Sequence, residues 1–167
     1  MGGLVWSGEF ASGLCSRWTG IFRYDPVADV KLPGETTFTM RLDHAALGGF
    51  TGAVDDGDGG IPEPATVTGR IFLRSMRFAK RYPHLWLPST ENPAGPLAIL
   101  PGAAPVPVRY LGRLAADGCS AEGRWAIPAT TVRLDGQWMR IGSVLGTWRA
   151  TRIDLRPDQQ RALGPMR

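Results

Sequence analysis

Apolar and polar residues alternate with a period of two along much of this chain, most clearly over residues 106–127. Val106, Val108, Tyr110, Gly112 and Leu114 alternate with Pro107, Arg109, Leu111 and Arg113. After Ala116-Asp117-Gly118, a second run alternates Cys119, Ala121, Gly123, Trp125 and Ile127 with Ser120, Glu122, Arg124 and Ala126. A period of two gives each strand one dry face, and Asp-Gly supplies the turn because glycine takes positive φ at little cost. The pattern predicts a β-hairpin.

The same reading predicts strands over residues 4–10, 17–24, 36–43, 50–54, 130–134 and 144–153. Residues 65–73 and 75–82 form either a strand pair or one long strand bent near Arg74. Trp18, Gly20, Phe22 and Tyr24 share one face of their strand, as do Phe38, Met40 and Leu42 of theirs. No apolar stripe of helical period runs longer than three turns. The fold class expected is all-β: a single antiparallel up-and-down barrel of about eight to nine strands. It takes in residues 1–156 and leaves 157–167 as a flexible or short helical tail.

One predicted connection is long. Residues 83–105 hold six of the 14 prolines, with Pro107 just beyond. Loops of this length inside a domain are usually functional or disordered. This one also carries Leu85, Trp86, Leu87, Leu97, Ile99 and Leu100, too much apolar surface to leave in water. It is expected to pack on the barrel mouth, a ligand or a neighbouring subunit.

Composition narrows the picture only a little. A chain of 167 residues, 43% hydrophobic, suffices for one domain with a core, and 22 glycines fit a fold with many turns. All but two of the 19 basic residues are arginine, the exceptions being Lys31 and Lys80, and the net charge is +4. The arginines are spaced singly with no basic run, which reads as a solvated surface rather than a nucleic-acid or membrane footprint. Cys15 and Cys119, the only cysteines, read as plain buried thiols. No signal peptide, myristoylation pattern or spanning apolar stretch is visible, so the expected location is cytoplasmic.

Glycine and tryptophan recur together: Gly123-Arg124-Trp125, Gly146-Thr147-Trp148, Trp18-Thr19-Gly20 and Trp6-Ser7-Gly8. Glycine near tryptophan in a strand suits a tightly turning barrel with a large ring plugging one end. With these motifs the chain resembles the calycin-type barrels, the group of lipocalins, avidins and nitrobindin-like proteins. Lipocalins carry Gly-x-Trp on the first strand, where this chain has Trp-x-Gly. The avidins' biotin-contacting pattern is not recognisable. Phe78-x-Lys80-x-Tyr82, Tyr110-x-Gly112 and Gly123-x-Trp125 also follow the order seen in small bacterial barrel proteins of unassigned role. The resemblance implies a ligand-sized cavity and carries over no catalytic residue.

Candidate chemistry is sparse. Asp55, Asp56 and Asp58 fail a calcium-loop pattern, since Gly60 and Val67 stand where ligands are needed, and they read as a solvated hairpin tip. Of the two histidines, His84 at the start of the long loop is a better catalytic candidate than His44. Lys80 shares strand parity with Met76, Phe78 and Tyr82. Either it snorkels to the rim, the commoner arrangement, or it points inward with its pKa lowered and suits carbonyl polarisation or Schiff-base chemistry.

The expected function is binding of a hydrophobic or aromatic small molecule in the barrel, with Tyr110, Trp125, Trp86, Phe78 and Met40 as ligand contacts. The first alternative is a cofactor-independent isomerase or cyclase of a hydrophobic substrate in the same cavity, with Lys80, Tyr82 and His84 as catalytic residues. The second is an oligomeric interaction protein without a ligand. No metal, cofactor, nucleic acid or membrane partner is expected, and a homo-oligomer is left open.

Overall fold

Residues 15–26, 34–88, 97–134 and 136–153 are described in a computed structural model of the chain. The expected strand at 4–10 and the tail at 157–167 lie outside the described residues. In chain order the strands are β1 (Cys15–Tyr24), β2 (Glu35–His44), β3 (Gly49–Asp56), β4 (Ala65–Phe72), β5 (Ser75–Arg81) and β6 (Trp86–Pro88). There follow β7 (Leu97–Ile99), β8 (Val108–Leu114), β9 (Ser120–Ile127), β10 (Thr130–Leu134), β11 (Gln137–Ile141) and β12 (Val144–Arg152). A single 3₁₀ turn, Ala46–Gly48, links β2 to β3.

Eight of these strands close an antiparallel up-and-down barrel in the order β1-β12-β9-β8-β5-β4-β3-β2, with β1 pairing back onto β2. This is the expected fold. Closure satisfies every sheet edge, so no long barrel strand presents unpaired backbone groups. Strands β6 and β7 pair with each other inside the long loop, and β10 and β11 form a second small ribbon outside the barrel. The ribbon's second strand is not legible in the sequence, because Trp138 is largely exposed and no residue of the strand is buried to mark a dry face.

The alternation read from the chain matches the burial of the barrel. In β2 the pattern is strict, with Thr36, Phe38, Met40, Leu42 and His44 inside and Glu35, Thr37, Thr39, Arg41 and Asp43 outside. The interior is filled by side chains from every barrel strand, Trp18, Leu42, Phe50, Met76, Leu114 and Val67 being the most completely buried. The large rings find room because glycines stand opposite them. Phe38 faces Gly20 across β1 and β2, Trp148 faces Gly123 across β12 and β9, and Trp125 faces Gly146. A Cβ on Gly146 would sit 2.4 Å from the Trp125 ring, and one on Gly20 would sit 2.5 Å from that of Phe38. Gly146 of the second Gly-x-Trp step is therefore the seat of Trp125 from the neighbouring strand, while the Trp148 ring lies over Gly112 of β8, where a Cβ would come within 2.5 Å of it.

The two ends of the barrel differ. At one end β2–β3, β4–β5 and β8–β9 are joined by tight turns, at residues 45–48, 73–74 and 115–119. At the other, all the remaining connections are long: 25–34, 57–64, 82–107 and 128–143. One sequence reading needs correction here, and one pair of alternatives is decided. Cys15 is exposed, because it shares the outward parity of Arg17 and Thr19, and Cys119 is half-buried in the turn before β9. Lys80 does not snorkel to solvent: it is 2% exposed, with its head held inside the long-loop end.

Candidate functional site

The long-loop end gathers the polar chemistry of the barrel. Asp56 ends β3, Lys80 is the penultimate residue of β5, and Tyr82 follows that strand directly. The Asp56 carboxylate takes a hydrogen bond on each oxygen, from Lys80 Nζ on Oδ1 and from the Tyr82 hydroxyl on Oδ2. Both charged side chains are withdrawn from water, the Lys80 side chain at 3% exposure and that of Asp56 at 1%. Aromatic faces enclose the ammonium: its nitrogen lies 4.6 Å from the centroid of Tyr82 and 5.6 Å from that of Phe22. A cation over aromatic faces gains electrostatic stabilisation that compensates part of its lost hydration.

An aromatic layer surrounds this pair. Tyr24 meets Trp125 edge-on at 5.0 Å between centroids, and Phe22 packs against both rings at about 6 Å. Trp125 is fixed by its indole N–H, which donates to the carbonyls of Arg23 and Thr147. Tyr110 stacks on Phe78 at 4.4 Å, and Trp148 meets both edge-on. Tyr24, Tyr82, Ile127 and Val144 are only partly buried and form the outermost ring of the core at this end.

Burial shifts the ionisable groups. The Lys80 ammonium is pulled below its ordinary value by desolvation, opposed by the charge and hydrogen bond of Asp56. The phenols of Tyr24, Tyr82 and Tyr110 are all pushed up, by desolvation first and by Asp56 second. These are the only tyrosines of the chain. A phenol with a raised folded pKa keeps its proton above 10.0 while the unfolded chain loses it, so stability falls as pH rises past that value. Alkaline titration is therefore expected to show no tyrosinate absorbance in the folded protein near its usual onset. All three should appear together with loss of the near-ultraviolet circular dichroism of the tryptophans. Gradual, independent ionisation of one or more phenols in folded protein would contradict the burial described.

The sequence-based candidates divide into three groups. Lys80, Tyr82, Tyr110, Trp125 and Phe78 belong to this end or to the aromatic layer beneath it. Met40 lies deeper, opposite Trp18 and Val54 in the barrel wall, and is core. His84 and Trp86 stand apart from the buried pair. His84 Nδ1 lies 2.9 Å from Glu63, and the Trp86 indole donates to the same carboxylate at 3.0 Å. Glu63 thus ties the start of the long loop to the 57–64 connection. His84 itself is exposed.

Asp56 is the residue that sequence reading misplaced. The reading of residues 55–60 as a solvated tip holds for Asp55 and Asp58, which are exposed, but fails for Asp56. The signal was present: extending the alternation of β3 from Gly52 and Val54 by one step puts position 56 inside. Ending the strand at Val54 hid it. Tyr24 takes the face that its strand parity predicts, and its packing on Trp125 makes it part of the site.

The tight-turn end has its own buried polar group. Ser16 Oγ lies 2.6 Å from His44 Nε2 and accepts the indole N–H of Trp18 at 3.0 Å. Ser16 and His44 are buried beneath the 45–48 turn, with the His44 ring 6.3 Å from that of Phe50, and the cluster closes the barrel floor. Among the described residues no group of three or more His, Cys, Asp or Glu is placed to hold a metal ion, and no helix is long and apolar enough to cross a membrane. Comparison with protein-family models, curated proteins and solved structures finds no match to this chain, so the fold and the buried Lys80–Asp56–Tyr82 cluster carry the functional reading alone.

Proposed function

We propose that the protein is a calycin-like small-molecule-binding barrel. It takes a hydrophobic or aromatic ligand at the long-loop end and reads one polar group of that ligand with the Lys80–Asp56–Tyr82 cluster. The observation that carries this reading is the buried ion pair itself. A hydrogen-bonded charge pair inside an apolar barrel is seldom the most stable filling for that space, because apolar residues of similar volume usually do as well or better. It lies beside Tyr24, Tyr82 and Trp125 at the outer layer of the core, and a few polar groups set among aromatic side chains are what a small-molecule site uses to orient its ligand. The middle of the barrel is occupied by Phe78, Tyr110 and Trp148, so the ligand would sit above them, against Tyr24, Tyr82 and Trp125.

Fluorescence titration with 8-anilinonaphthalene-1-sulfonate, an aromatic anion, tests the reading. Saturable binding with quenching of tryptophan emission is expected, and Tyr24→Ala together with Tyr82→Phe should weaken it by about tenfold, the cost of one lost hydrogen bond and some packing. Equal affinity in the variant, or non-saturating uptake, would remove the site from this end of the barrel.

The lowered pKa of Lys80 favours a second reading, in which the same site acts covalently on a carbonyl substrate. With only Lys31 and Lys80 in the chain, cinnamaldehyde and cyanoborohydride distinguish the two. The amine condenses with the aldehyde and releases water, and hydride then reduces the imine. Labelling of Lys80 supports the covalent reading; labelling confined to Lys31 leaves binding alone.

A further inference from the structure

We propose that the tight-turn end and the adjoining outer wall of β4, β5 and β8 dock on an anionic lipid surface. Three large apolar side chains project from this end into water: Leu47 at 86% exposure, Leu73 at 78% and Phe72 at 68%. They belong together, because Gly48 packs directly on the Ile71 carbonyl, bringing the 45–48 turn beside the β4–β5 turn. Leu47 and Leu73 also have φ of 57° and 55°, the only non-glycine residues in the left-handed region among those described. Glycine or asparagine would relieve both positions. Leucine in a strained conformation with its side chain in solvent is unfavourable twice over for a freely solvated turn, and both costs fall on one tip of the molecule.

The wall above that tip is cationic. The outward residues of β4, β5 and β8 are Thr66, Thr68, Arg70 and Phe72, then Ser75, Arg77, Ala79 and Arg81, then Arg109, Leu111 and Arg113. Five are arginine and none is acidic; outward carboxylates stand on the flanking strands, Glu122 of β9 opposite Arg113 and Asp55 near the end of β3. None of the five forms an ion pair among the described residues. Arg70 stands directly across from Arg77, a like-charge pairing that a sheet does not favour for its own stability. Singly spaced in sequence, these arginines gather because alternate residues of antiparallel strands align on one side.

Arginines beside protruding aliphatic tips match a bilayer bearing negative headgroups: the tips enter the acyl boundary and the guanidinium groups meet phosphate, each basic residue contributing about fivefold to partition. A nucleic-acid strand fits less well, because it wants aromatic platforms and Phe72 is the single exposed aromatic on this face.

Sedimentation with vesicles of phosphatidylcholine, alone or with a third phosphatidylglycerol, tests the proposal at low salt. The full chain should sediment with the anionic vesicles, at least tenfold more than with neutral ones, and release with added salt. Leu47→Asn with Leu73→Asn should reduce partition by at least tenfold while melting no lower than the parent, since asparagine tolerates the left-handed conformation. Phe72→Ser serves as an independent apolar variant. Arg70→Ser with Arg77→Ser should reduce partition by about twenty-five-fold, from about fivefold per residue. No preference for anionic vesicles, unchanged partition in either the apolar or the arginine variant, or competition by oligo(dT) with full retention in the leucine variant would each overturn the proposal.

Discussion

Replacing Asp56 with Leu is expected to lower stability by about 3–5 kcal/mol, because it leaves the Lys80 ammonium buried without its counter-charge. The loss should depend on pH in a defined direction. In the parent, desolvation already pulls the Lys80 pKa below 10.5, and only Asp56 and, more weakly, Asp55 pull it back up. Without Asp56 the folded value drops further. Between the lowered folded value and 10.5, the unfolded chain binds the proton that the folded chain lacks, so stability rises with pH across that window. Urea denaturation of the variant should therefore show a larger deficit near neutrality than toward pH ~9–10.

The partner substitution sharpens the test. Lys80→Met alone strands the Asp56 carboxylate with only the Tyr82 hydroxyl, and is also expected to destabilise. Asp56→Leu with Lys80→Met should instead recover most or all of the parent stability, since an apolar pair fills the same space without desolvation cost. A double variant as stable as the parent, yet unable to bind the aromatic anion, would separate the cluster's functional role from the fold. A double variant as unstable as the singles would mean the pair is required for packing, and the case for a retained functional group would fall.

Much of the barrel was legible because strands leave a simple mark. In β2 every second residue is apolar or buried, and a one-residue register slip would turn Phe38, Met40 and Leu42 into water, so the pattern could be read directly. What hid was long-range. Asp56 and Lys80 are 24 positions apart, and nothing local says that an aspartate among glycines turns inward to meet a lysine from another strand. The arginines misled in the opposite way: their even spacing suggested dispersal, yet the register of β4, β5 and β8 brings Arg70, Arg77, Arg81, Arg109 and Arg113 to one wall. Sequence parity says which side of a strand a residue takes; pairing decides its neighbours. The second ribbon strand at β11 left no mark, because its exposed residues have no buried face to alternate with.

The glycine seats give the second large effect. Trp148 is 3% exposed and meets Phe78 and Tyr110 edge-on, so Trp148→Ala is expected to cost about 3–5 kcal/mol through lost packing and the cavity left behind. Gly112→Ala attacks the same seat from below. Its Cβ would lie 2.5 Å from the Trp148 ring and 2.5 Å from the Glu122 carbonyl oxygen, and overpacking of this kind costs about 1–3 kcal/mol or more. The two contacts predict different behaviour in combination. Removing the ring relieves one clash but leaves the backbone carbonyl, so the double variant should be less unstable than the sum of the singles and still no better than Trp148→Ala alone. Thermal or urea melts of the four proteins measure this coupling. Full additivity would mean that ring and glycine do not share the seat. Rescue of Trp148→Ala by the added methyl would mean that β8 and β9 can part to admit it, as the close approach of Gly123 to the Leu111 carbonyl and to Gly112 Cα should forbid.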